Sequence, residues 1–556
     1  MRSSQRASLL FWPGLLLIGL VGLGIRLYAG QHEMLSYDEW QHVFIASGAR
    51  LADMFYEIRT NAHPALFFLL LRGLLKLGHA KLLYRAISIS AGVVSILLVG
   101  LISRKTLRSP ILQLLSAAAF ALSGSAVIMS IQVRSYELAI ALVLLAFLSY
   151  LDMIPAPEKP VPLRPYVLFT IASTLAVWSH YCVIFFLGAC LAVPFVLAAV
   201  SGEFRRRFIS GLDRKVIGLS VLSFALPCTV FALHLGHIGG QVIQGYLYDF
   251  YWQMTPNGAE TAGGFIVRNC RNLFNLFSPV ELSSTTAFLV TVVVGGVAGM
   301  IILVRASRAQ RTRIASGVSI AFAAVMIAEL LAASLAQRYP FGGLLRHQYI
   351  VAPFLLLAAF VFLDALASVA GPVAARGLAI LLGVAIVANP AYDWQKVIEF
   401  PDHVVLEREF AAYSAAFPRA RAVYLDSFTV WGYFVHTDDG RRSFVRRISD
   451  SAWIDEYRIR GGGHDGTLIF YDKSRYQIHF FDSSLYESLA ACLRQSGVGE
   501  LTVFWFSPGA DPMVEAPGDL EKDIRADAAA HGLTTTKLVV TRVTVFGGFR
   551  LAAAGP

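Results

Sequence analysis

Charged residues are scarce in this chain. They make up 15% of its 556 residues, whereas hydrophobic residues make up 56%, and the mean hydropathy is +0.59. A typical soluble domain carries about 25% charged residues. The shortage excludes a water-soluble globule of this length, and the composition predicts an integral membrane protein.

Cysteine is also sparse, and it shows no pairing pattern. CxxC spacing and a His/Cys arrangement are both absent, because the five cysteines lie far apart, at Cys182, Cys190, Cys228, Cys270 and Cys492. This spacing implies neither a zinc site nor a dithiol redox motif. No metal ligand is predicted.

Acidic residues are outnumbered by basic ones, which gives a net charge of +10. A nucleic-acid-binding protein would gather that charge on one face or along one element. Here the arginines and lysines lie in short loops between apolar segments, which is typical of the cytoplasmic loops of membrane proteins. We therefore expect no nucleic acid among the partners.

Long apolar runs, by contrast, fill much of the sequence up to residue 391. A helix needs about 20 apolar residues to cross a hydrocarbon core of about 30 Å. The first run follows a positive start but no clean cleavage site, so it is interpreted as a retained span and not as a signal peptide. In all, the runs predict about eleven spans, at 8–29, 82–102, 110–131, 135–153, 164–181, 183–200, 216–235, 284–304, 314–336, 348–369 and 374–391.

The segment 64–78, PALFFLLLRGLLKLG, decides the topology. It is short, and it carries Arg72 and Lys76 one turn apart. If it lies flat in the membrane interface, every strongly basic loop falls on one side, which the positive-inside rule makes the cytoplasm. We therefore predict a flat segment, a cytoplasmic N-terminus and an external C-terminal region.

This topology brings the polar groups at span ends to the outer face. Asp38 and Glu39 follow the first span, where adjacent carboxylates call for an explanation other than packing. One of them suits a general base that deprotonates a hydroxyl nucleophile. The alternative is a solvated loop acid or an N-cap for the helix that begins near Trp40.

Arginines at outer span ends are candidate ligands for a lipid-linked phosphate, because the planar guanidinium donates two parallel hydrogen bonds to phosphate oxygens. Arg85 and Arg134 have this position, and snorkelling to the headgroup level is the alternative for both. Arg338 and Arg346 flank a Gly-Gly turn that could wrap a phosphate head group.

Histidines and aromatic residues complete the candidate set. His180 and Tyr181 lie between two apolar runs, where a hydrogen-bonded structural histidine and a tyrosine of the aromatic belt are the alternatives. The further candidates for binding the donor or the acceptor are His63, Tyr136, Glu137 and His347.

The composition changes near Trp394, and no further span follows. Runs typical of strands, at 422–426, 467–471, 501–506 and 537–546, alternate with helix-like stretches at 483–496 and 518–531. This alternation predicts a small α/β domain. We therefore expect a transmembrane domain at 1–392 and an external α/β domain at 393–556.

Taken in order, these motifs resemble the C-type (GT-C) membrane glycosyltransferases of the protein O-mannosyltransferase superfamily, which are similar to glycosyltransferase family 39. The bacterial branch is the most similar, including the lipopolysaccharide-core galacturonosyltransferases and the lipid A aminoarabinose transferases. The family's H-P-P and T-H-Y motifs read H-P-A and S-H-Y here. The resemblance covers roughly residues 8–390 and rests on Asp38-Glu39, His63-Pro64, Arg85, Arg134-Ser135-Tyr136 and Ser179-His180-Tyr181.

The resemblance implies a GT-C fold with interfacial helices in the first external loop, and a specific chemistry. The sugar would come from a polyprenyl-phosphate-linked donor and pass with inversion to a hydroxyl of lipid A or lipopolysaccharide, another envelope glycan or a protein. Transfer would take place on the periplasmic face of the bacterial inner membrane. Asp38 matches the family's catalytic acid, with Glu39 beside it. No cofactor is implied, and no ligand cluster demands a divalent metal.

Two other classes of function suit a chain with many spans. A transporter or flippase of a lipid-linked saccharide usually places ionisable residues near mid-membrane, whereas the polar groups here gather at outer span ends. A scaffold whose external domain binds a partner would need far fewer spans.

Overall fold

The computed structural model divides the chain into two compact units. The membrane unit comprises Met1–His32, Ile58–Phe67 and Arg85–Glu399, and the second unit comprises Glu33–Glu57, Phe68–Tyr84 and Phe400–Pro556. The domain boundary at 392/393 stays a prediction. The described residues are 2–33, 35, 37–59, 63–78, 80–154, 162–237, 261–274, 311–341, 345–369, 377, 422–424, 441–449, 454–460, 468–472, 490, 500–506, 522, 525–526, 528–537 and 546–553.

Helices make up the described chain as far as residue 369. A single 3-10 turn, Tyr349–Val351, separates the last two of them. The helices are α1 (Arg2–His32), α2 (Tyr37–Ala46), α3 (Leu51–Arg59), α4 (Ala65–Leu75), α5 (Lys81–Thr106), α6 (Pro110–Leu122), α7 (Gly124–Ile131), α8 (Tyr136–Met153), α9 (Leu163–Ser179), α10 (Val183–Val200), α11 (Gly202–Gly211), α12 (Arg214–His237), α13 (Ala262–Phe274), α14 (Arg311–Leu335), α15 (Leu345–Gln348) and α16 (Ala352–Val369).

Seven spans among the described helices are long and apolar enough to cross a membrane, which confirms the polytopic fold. The predicted spans at 284–304 and 374–391 lie outside the described residues except for Gly377, and the predicted span at 164–181 is the 17-residue helix α9. The seven are Leu10–His32, Lys81–Thr106, Tyr136–Met153, Val183–Val200, Arg214–Leu235, Ile314–Leu335 and Arg346–Ala365.

The predicted span at 110–131 is bent. Helices α6 and α7 meet at Ser123 with an angle of 52° between them. Ser123 has extended backbone dihedrals, and its N–H bonds to the carbonyl oxygen of Phe120. A Ser-Gly pair is a usual site for a sharp helix kink, and here Gly124 follows Ser123. Hydropathy alone does not detect this break.

Helix α4 is too short to cross a membrane. Its 11 residues span about 16 Å, roughly half of a hydrocarbon core. Its Arg72 guanidinium donates to the carbonyl oxygens of Ala46, Gly48 and Ala49, at 3.2 Å for Ala46 and 3.1 Å for Ala49. Arg72 therefore caps the C-terminal end of α2, where a cation is favoured.

Aromatic residues fill the centre of the membrane unit. Four helices, α8, α10, α14 and α16, contribute one phenylalanine each, and neighbouring ring centroids lie 4.9 to 6.2 Å apart. All four side chains are fully buried: Phe147, Phe186, Phe322 and Phe354. Van der Waals packing of this kind holds helices together where the lipid removes the hydrophobic driving force.

Glycines let α1 and α5 approach closely. A Cβ atom at Gly22 would lie 2.5 Å from the Cδ1 atom of Ile96, and one at Gly100 would lie 2.5 Å from the Cδ1 atom of Leu15. Small residues at such crossings are typical of membrane helix pairs. The close contact sets the position of the α5 N-terminal half, which carries Arg85 and Ser88.

The C-terminal part of the second unit contains a seven-stranded mixed sheet with strand order β2-β3-β4-β1-β5-β7-β6. Strand β1 pairs in parallel with β4 and β5, and the other pairs are antiparallel. The strands are β1 (Ala422–Tyr424), β2 (Arg441–Ser449), β3 (Ile454–Arg460), β4 (Leu468–Asp472), β5 (Glu500–Phe506), β6 (Leu533–Lys537) and β7 (Phe546–Ala553).

The sheet agrees with the expected α/β domain, although its strands differ from the predicted ones. The predicted strand at 537–546 lies outside the described residues apart from its two end positions, and β2 and β3 have no predicted counterpart. These two strands carry six arginines and two acids, and they pair as an antiparallel hairpin. Charged strands escape a search for apolar runs. The predicted helices at 483–496 and 518–531 lie mostly outside the described residues.

Candidate active site

Arg134 lies at the centre of a polar cluster at one end of the membrane unit. It belongs to the non-helical segment between α7 and α8, and its backbone oxygen accepts a hydrogen bond of 3.0 Å from Ser88 Oγ on α5. Its Nη2 atom lies 2.9 Å from Nε2 of His63, and its guanidinium lies 5.1 Å from the ring centroid of Tyr136. The segment is therefore tied to neighbours on both sides.

His180 completes this group, which we call the Arg134 cluster (Arg134, His63, Tyr136 and His180). Its ring centroid lies 4.9 Å from that of Tyr136 and 5.5 Å from that of His63. His180 is in the turn that follows α9, where it is 8% exposed. Three separate stretches of the sequence thus meet at one place.

Hydrogen bonds fix the tautomers of the two histidines. Arginine only donates, so Nε2 of His63 accepts from Arg134. The backbone N–H of Cys182 donates to Nδ1 of His180 at 3.2 Å, which leaves the ring proton on Nε2. Burial, assisted by the charge of Arg134, lowers the pKa of His180 to about 3. His180 is therefore a neutral hydrogen-bond donor at physiological pH.

The chemistry of this cluster suits an anion. It offers the guanidinium of Arg134 and the Nε2–H group of His180, and hydrogen bonds from a charged donor to an anion are the strong ones. Burial of His180 strengthens such electrostatic interactions, because the local dielectric constant is low. A phosphate group fits these donors.

Glu137 makes its hydrogen bond within the helical core and not with the Arg134 cluster. It is 0% exposed, and its Oε2 atom accepts a hydrogen bond of 2.6 Å from the hydroxyl of Tyr349. The charge of Arg26 on α1 acts on Glu137 at longer range, and these two described side chains form no direct ion pair. The expectation that Glu137 binds donor or acceptor is untested, and its contacts are internal to the helices.

Arg26 is a residue that the sequence analysis missed. It is 0% exposed although it lies within a span, and it donates to Ser130 Oγ at 2.9 Å, to Ala121 O at 3.0 Å and to Gly22 O at 3.1 Å. We call Arg26 and Glu137 the buried charge pair. An arginine inside a predicted span is a signal that could have been used, because such residues are rare and usually have a role.

Arg85 is also fully buried, and one of its guanidinium nitrogens, Nη1, donates to the carbonyl oxygen of Gly30. It thereby contacts the C-terminal end of α1, a favourable place for a cation. Its proposed contact with a phosphate stays a prediction. Tyr181 is half-buried, and its ring packs 6.2 Å from the rings of Phe231 and His234 on α12.

Among the candidates from the stretch 338–349, Arg338 lies in the turn after α14, and Arg346 and His347 lie in the short helix α15. Arg338 is exposed, Arg346 is half-buried and His347 is buried. The hydroxyl of Tyr339 donates to the backbone oxygen of His347 at 3.0 Å, and its ring lies 5.0 Å from that of Phe185 at the start of α10. This turn therefore lies at the same end of the membrane unit as the turn of His180.

The first-loop acids belong to the second unit. Asp38 and Glu39 are in the first turn of α2, and Glu39 is 2% exposed. The side chain of Asp38 lies outside the described residues. Nearby, His42 is fully buried and stacks on Phe68 with 4.8 Å between ring centroids. The general-base role of Asp38 stays a prediction from the sequence.

No protein-family model matches the chain, and no curated protein sequence matches it. Two solved structures have a similar fold. Both are of ArnT, the aminoarabinose transferase, from Cupriavidus metallidurans, and both share 11% identity with this chain. The apo structure has a TM-score of 0.50 and covers 98% of each chain, and the structure with bound undecaprenyl phosphate has a TM-score of 0.53 and covers 97% of each.

The protein therefore has the GT-C fold, which is that of a class of polytopic membrane glycosyltransferases. The fold that the motif order implies is confirmed. At this level of identity, similarity to ArnT concerns the fold alone, and the chemistry has to be argued from the site.

Proposed function

We propose that the protein transfers a sugar, with inversion, from a polyprenyl-phosphate-linked donor to an acceptor hydroxyl on the periplasmic face of a bacterial inner membrane. The observation that carries the proposal is the Arg134 cluster, a set of anion-binding donors at one end of a GT-C membrane unit. A polyprenyl chain keeps to the bilayer, so its phosphate is presented at such an end.

The proposed reaction combines the predicted base Asp38 with the donors of the Arg134 cluster. Asp38 takes the proton of the acceptor hydroxyl, and the oxygen attacks the anomeric carbon opposite the phosphate. The bond between that carbon and the phosphate oxygen breaks, and polyprenyl phosphate leaves with an additional negative charge. Arg134 and the Nε2–H group of His180 stabilise that charge. His180 is a donor and not the general base, because its Nδ1 lone pair accepts from the Cys182 N–H and its pKa of about 3 makes it a weak base.

The acceptor is a hydroxyl of lipid A or lipopolysaccharide, another envelope glycan or a protein. The sugar is a hexose or pentose unit on the lipid carrier. The fold supports a lipid-linked donor, because the similar ArnT structure has bound undecaprenyl phosphate. Mass spectrometry of envelope glycolipids, glycans and glycoproteins from a deletion strain identifies both partners as the species that loses one sugar.

The role of Asp38 is tested by returning variants to that strain. We expect Asp38→Asn to reduce formation of the missing species by about 10²-fold or more, the usual range for removing a general base. Asp152→Asn is the control. Asp152 lies at the C-terminal end of α8, opposite the end that carries Tyr136, and forms an ion pair with Lys105. Near-normal product with Asp38→Asn would refute the assignment.

A flippase of a lipid-linked saccharide is the alternative. Its ionisable residues would line a path for the head group. Arg26 and Glu137 are both fully buried and hydrogen-bonded to neighbouring helices, which favours a structural role over such a path. Proteoliposomes with a prenyl-phosphate sugar and acceptor extract separate the two: the enzyme forms product, whereas a flippase only moves the lipid.

A further inference from the structure

The segment that carries Arg134 is held at both of its ends by buried polar contacts. On the N-terminal side, Ser130 Oγ accepts from Nε of Arg26 and donates to the Ala126 carbonyl oxygen. On the C-terminal side, Glu137 accepts from Tyr349 at 2.6 Å. The two fixed points are seven residues apart in sequence, and Arg134 lies between them.

Both fixed points involve a fully buried ionisable side chain. Arg26 and Glu137 are each 0% exposed, and each is held by hydrogen bonds to its own neighbours. A buried charge needs a partner and hydrogen bonds, because it has lost its water. Arg26 is about 9 Å from the end of α1, since six residues separate it from His32. The pair thus lies inside the membrane unit, next to the segment that it flanks in sequence.

Gly92 leaves the space in which Arg26 and Ser130 form their hydrogen bond. A Cβ atom added at Gly92 of α5 would lie 2.5 Å from Ser130 Oγ and 2.8 Å from Arg26 Nε. No larger residue at 92 is compatible with this hydrogen bond unless the neighbours shift. Gly24, on the same helix as Arg26, has nothing within 4 Å of an added Cβ atom. The chain therefore offers a perturbing glycine and a neutral one.

We propose that Arg26, Glu137 and Tyr349 are positioning residues that hold the segment 132–135 so that Arg134 is presented to the lipid phosphate. The inference rests on the proposed function for the identity of that ligand. A guanidinium that binds phosphate through two parallel hydrogen bonds depends on accurate placement. A displacement of about 1 Å is enough to weaken catalysis strongly.

The first test uses Gly92→Ala against Gly24→Ala in the full-length protein in nanodiscs. Hydrogen–deuterium exchange of the peptide that covers residues 132–135 is measured together with affinity for undecaprenyl phosphate. We expect Gly92→Ala to speed exchange and to weaken lipid binding about tenfold, because the loss of one hydrogen bond to a charged group changes affinity by about that factor. Gly24→Ala should match the wild type in both. If Gly92→Ala does not fold, Ser130→Ala removes the accepting hydroxyl without a clash and gives the same two readouts.

The outcomes separate this inference from the proposed function. Unchanged exchange and unchanged lipid affinity in Gly92→Ala and Ser130→Ala would overturn the positioning role. Arg134→Gln serves as the reference for the ligand: if it binds undecaprenyl phosphate as the wild type does, the proposed lipid site is wrong. In that case the exchange experiment still decides whether the pair holds the segment.

A second test separates positioning from simple stability. Arg26→Met combined with Glu137→Gln removes both charges, so neither is left buried alone. We expect the double variant to melt closer to the wild type than either single variant, while its affinity for undecaprenyl phosphate stays reduced about tenfold. Recovery of both properties would show that the pair only compensates for itself, which would contradict the proposal.

Discussion

The Arg134 cluster and the buried charge pair each place an arginine among apolar helices, but they satisfy it differently. Arg26 donates to acceptors of its own protein, namely Ser130 Oγ and two carbonyl oxygens. Arg134 has a neutral imidazole and an aromatic ring among its neighbours. Arg26 completes the fold, whereas we propose that Arg134 binds the ligand.

Structure and chemistry can thus be assigned to different arginines of one membrane unit. A cation that donates to buried acceptors of its own protein is less available to a substrate anion. Seven residues of sequence, from Ser130 to Glu137, connect the two arrangements. Variants that alter one arrangement and spare the other therefore test whether the two arginines have separate roles.

The largest effect is expected on the structural side. Arg26→Met leaves three buried hydrogen-bond acceptors without their donor, and we expect the free energy of unfolding to fall by about 3–5 kcal/mol. Glu137→Gln can still accept from Tyr349, and we expect it to cost about 1–3 kcal/mol. Arg104→Met is the control, because Arg104 is exposed and stacks on Phe11 at the other end of α5. It should cost about 1 kcal/mol or less. Denaturant unfolding in bicelles measures all three, and equal losses would contradict a structural role for the buried charge pair.

A smaller effect is expected at Tyr349. Tyr349→Phe removes a hydrogen bond to a carboxylate, so we expect a loss of about 1.5–3 kcal/mol in the free energy of unfolding. Tyr339→Phe is a matched control, because its hydroxyl donates to the neutral backbone oxygen of His347. That change should cost about 0.5–1.5 kcal/mol. The same unfolding assay decides, and a larger loss at Tyr339 would reverse our interpretation of the two sites.

The pH dependence of stability sharpens the description of His180. Its folded pKa of about 3 is below the unfolded value of 6.5, so the unfolded chain takes up the proton first as the pH falls. Stability from this group is complete above pH 6.5 and is lost toward pH 3, by about 1.4 kcal/mol per pH unit.

His180→Asn keeps an acceptor for the Cys182 N–H but does not titrate, so its melting temperature should fall less steeply than the wild type's between about pH 6.5 and 4.5. His32→Asn alters an exposed histidine and serves as the control. Parallel curves for wild type and His180→Asn would show that His180 is not held in the neutral form.

How much of this could be predicted depended on which signal each feature leaves in the sequence. Apolar runs leave a strong one, so the seven spans of the described residues were predicted to within a few residues, and the break that Ser123 and Gly124 introduce was not. Arg134, His63, Tyr136 and His180 were found as motifs, and their direct contacts required a structure. Arg26 was missed because a single charge hardly changes the hydropathy of a 23-residue span.

The strands of the second unit show the same limit. Strands β1, β4 and β5 carry apolar runs and were predicted, whereas the arginine-rich β2 and its partner β3 follow no apolar alternation. Their pairing is set by register between strands, which is a long-range property. Local patterns do not contain it.

Whether Arg134 binds the lipid phosphate is tested most directly by measuring the affinity of two arginine variants of the purified full-length protein for undecaprenyl phosphate. Arg134→Gln should weaken binding by about 10- to 100-fold, because a charged donor is lost from the phosphate. Arg104→Gln, at the far end of the membrane unit, should change it by less than about twofold. Equal affinities for the two variants would show that the Arg134 cluster is not the site of the lipid phosphate.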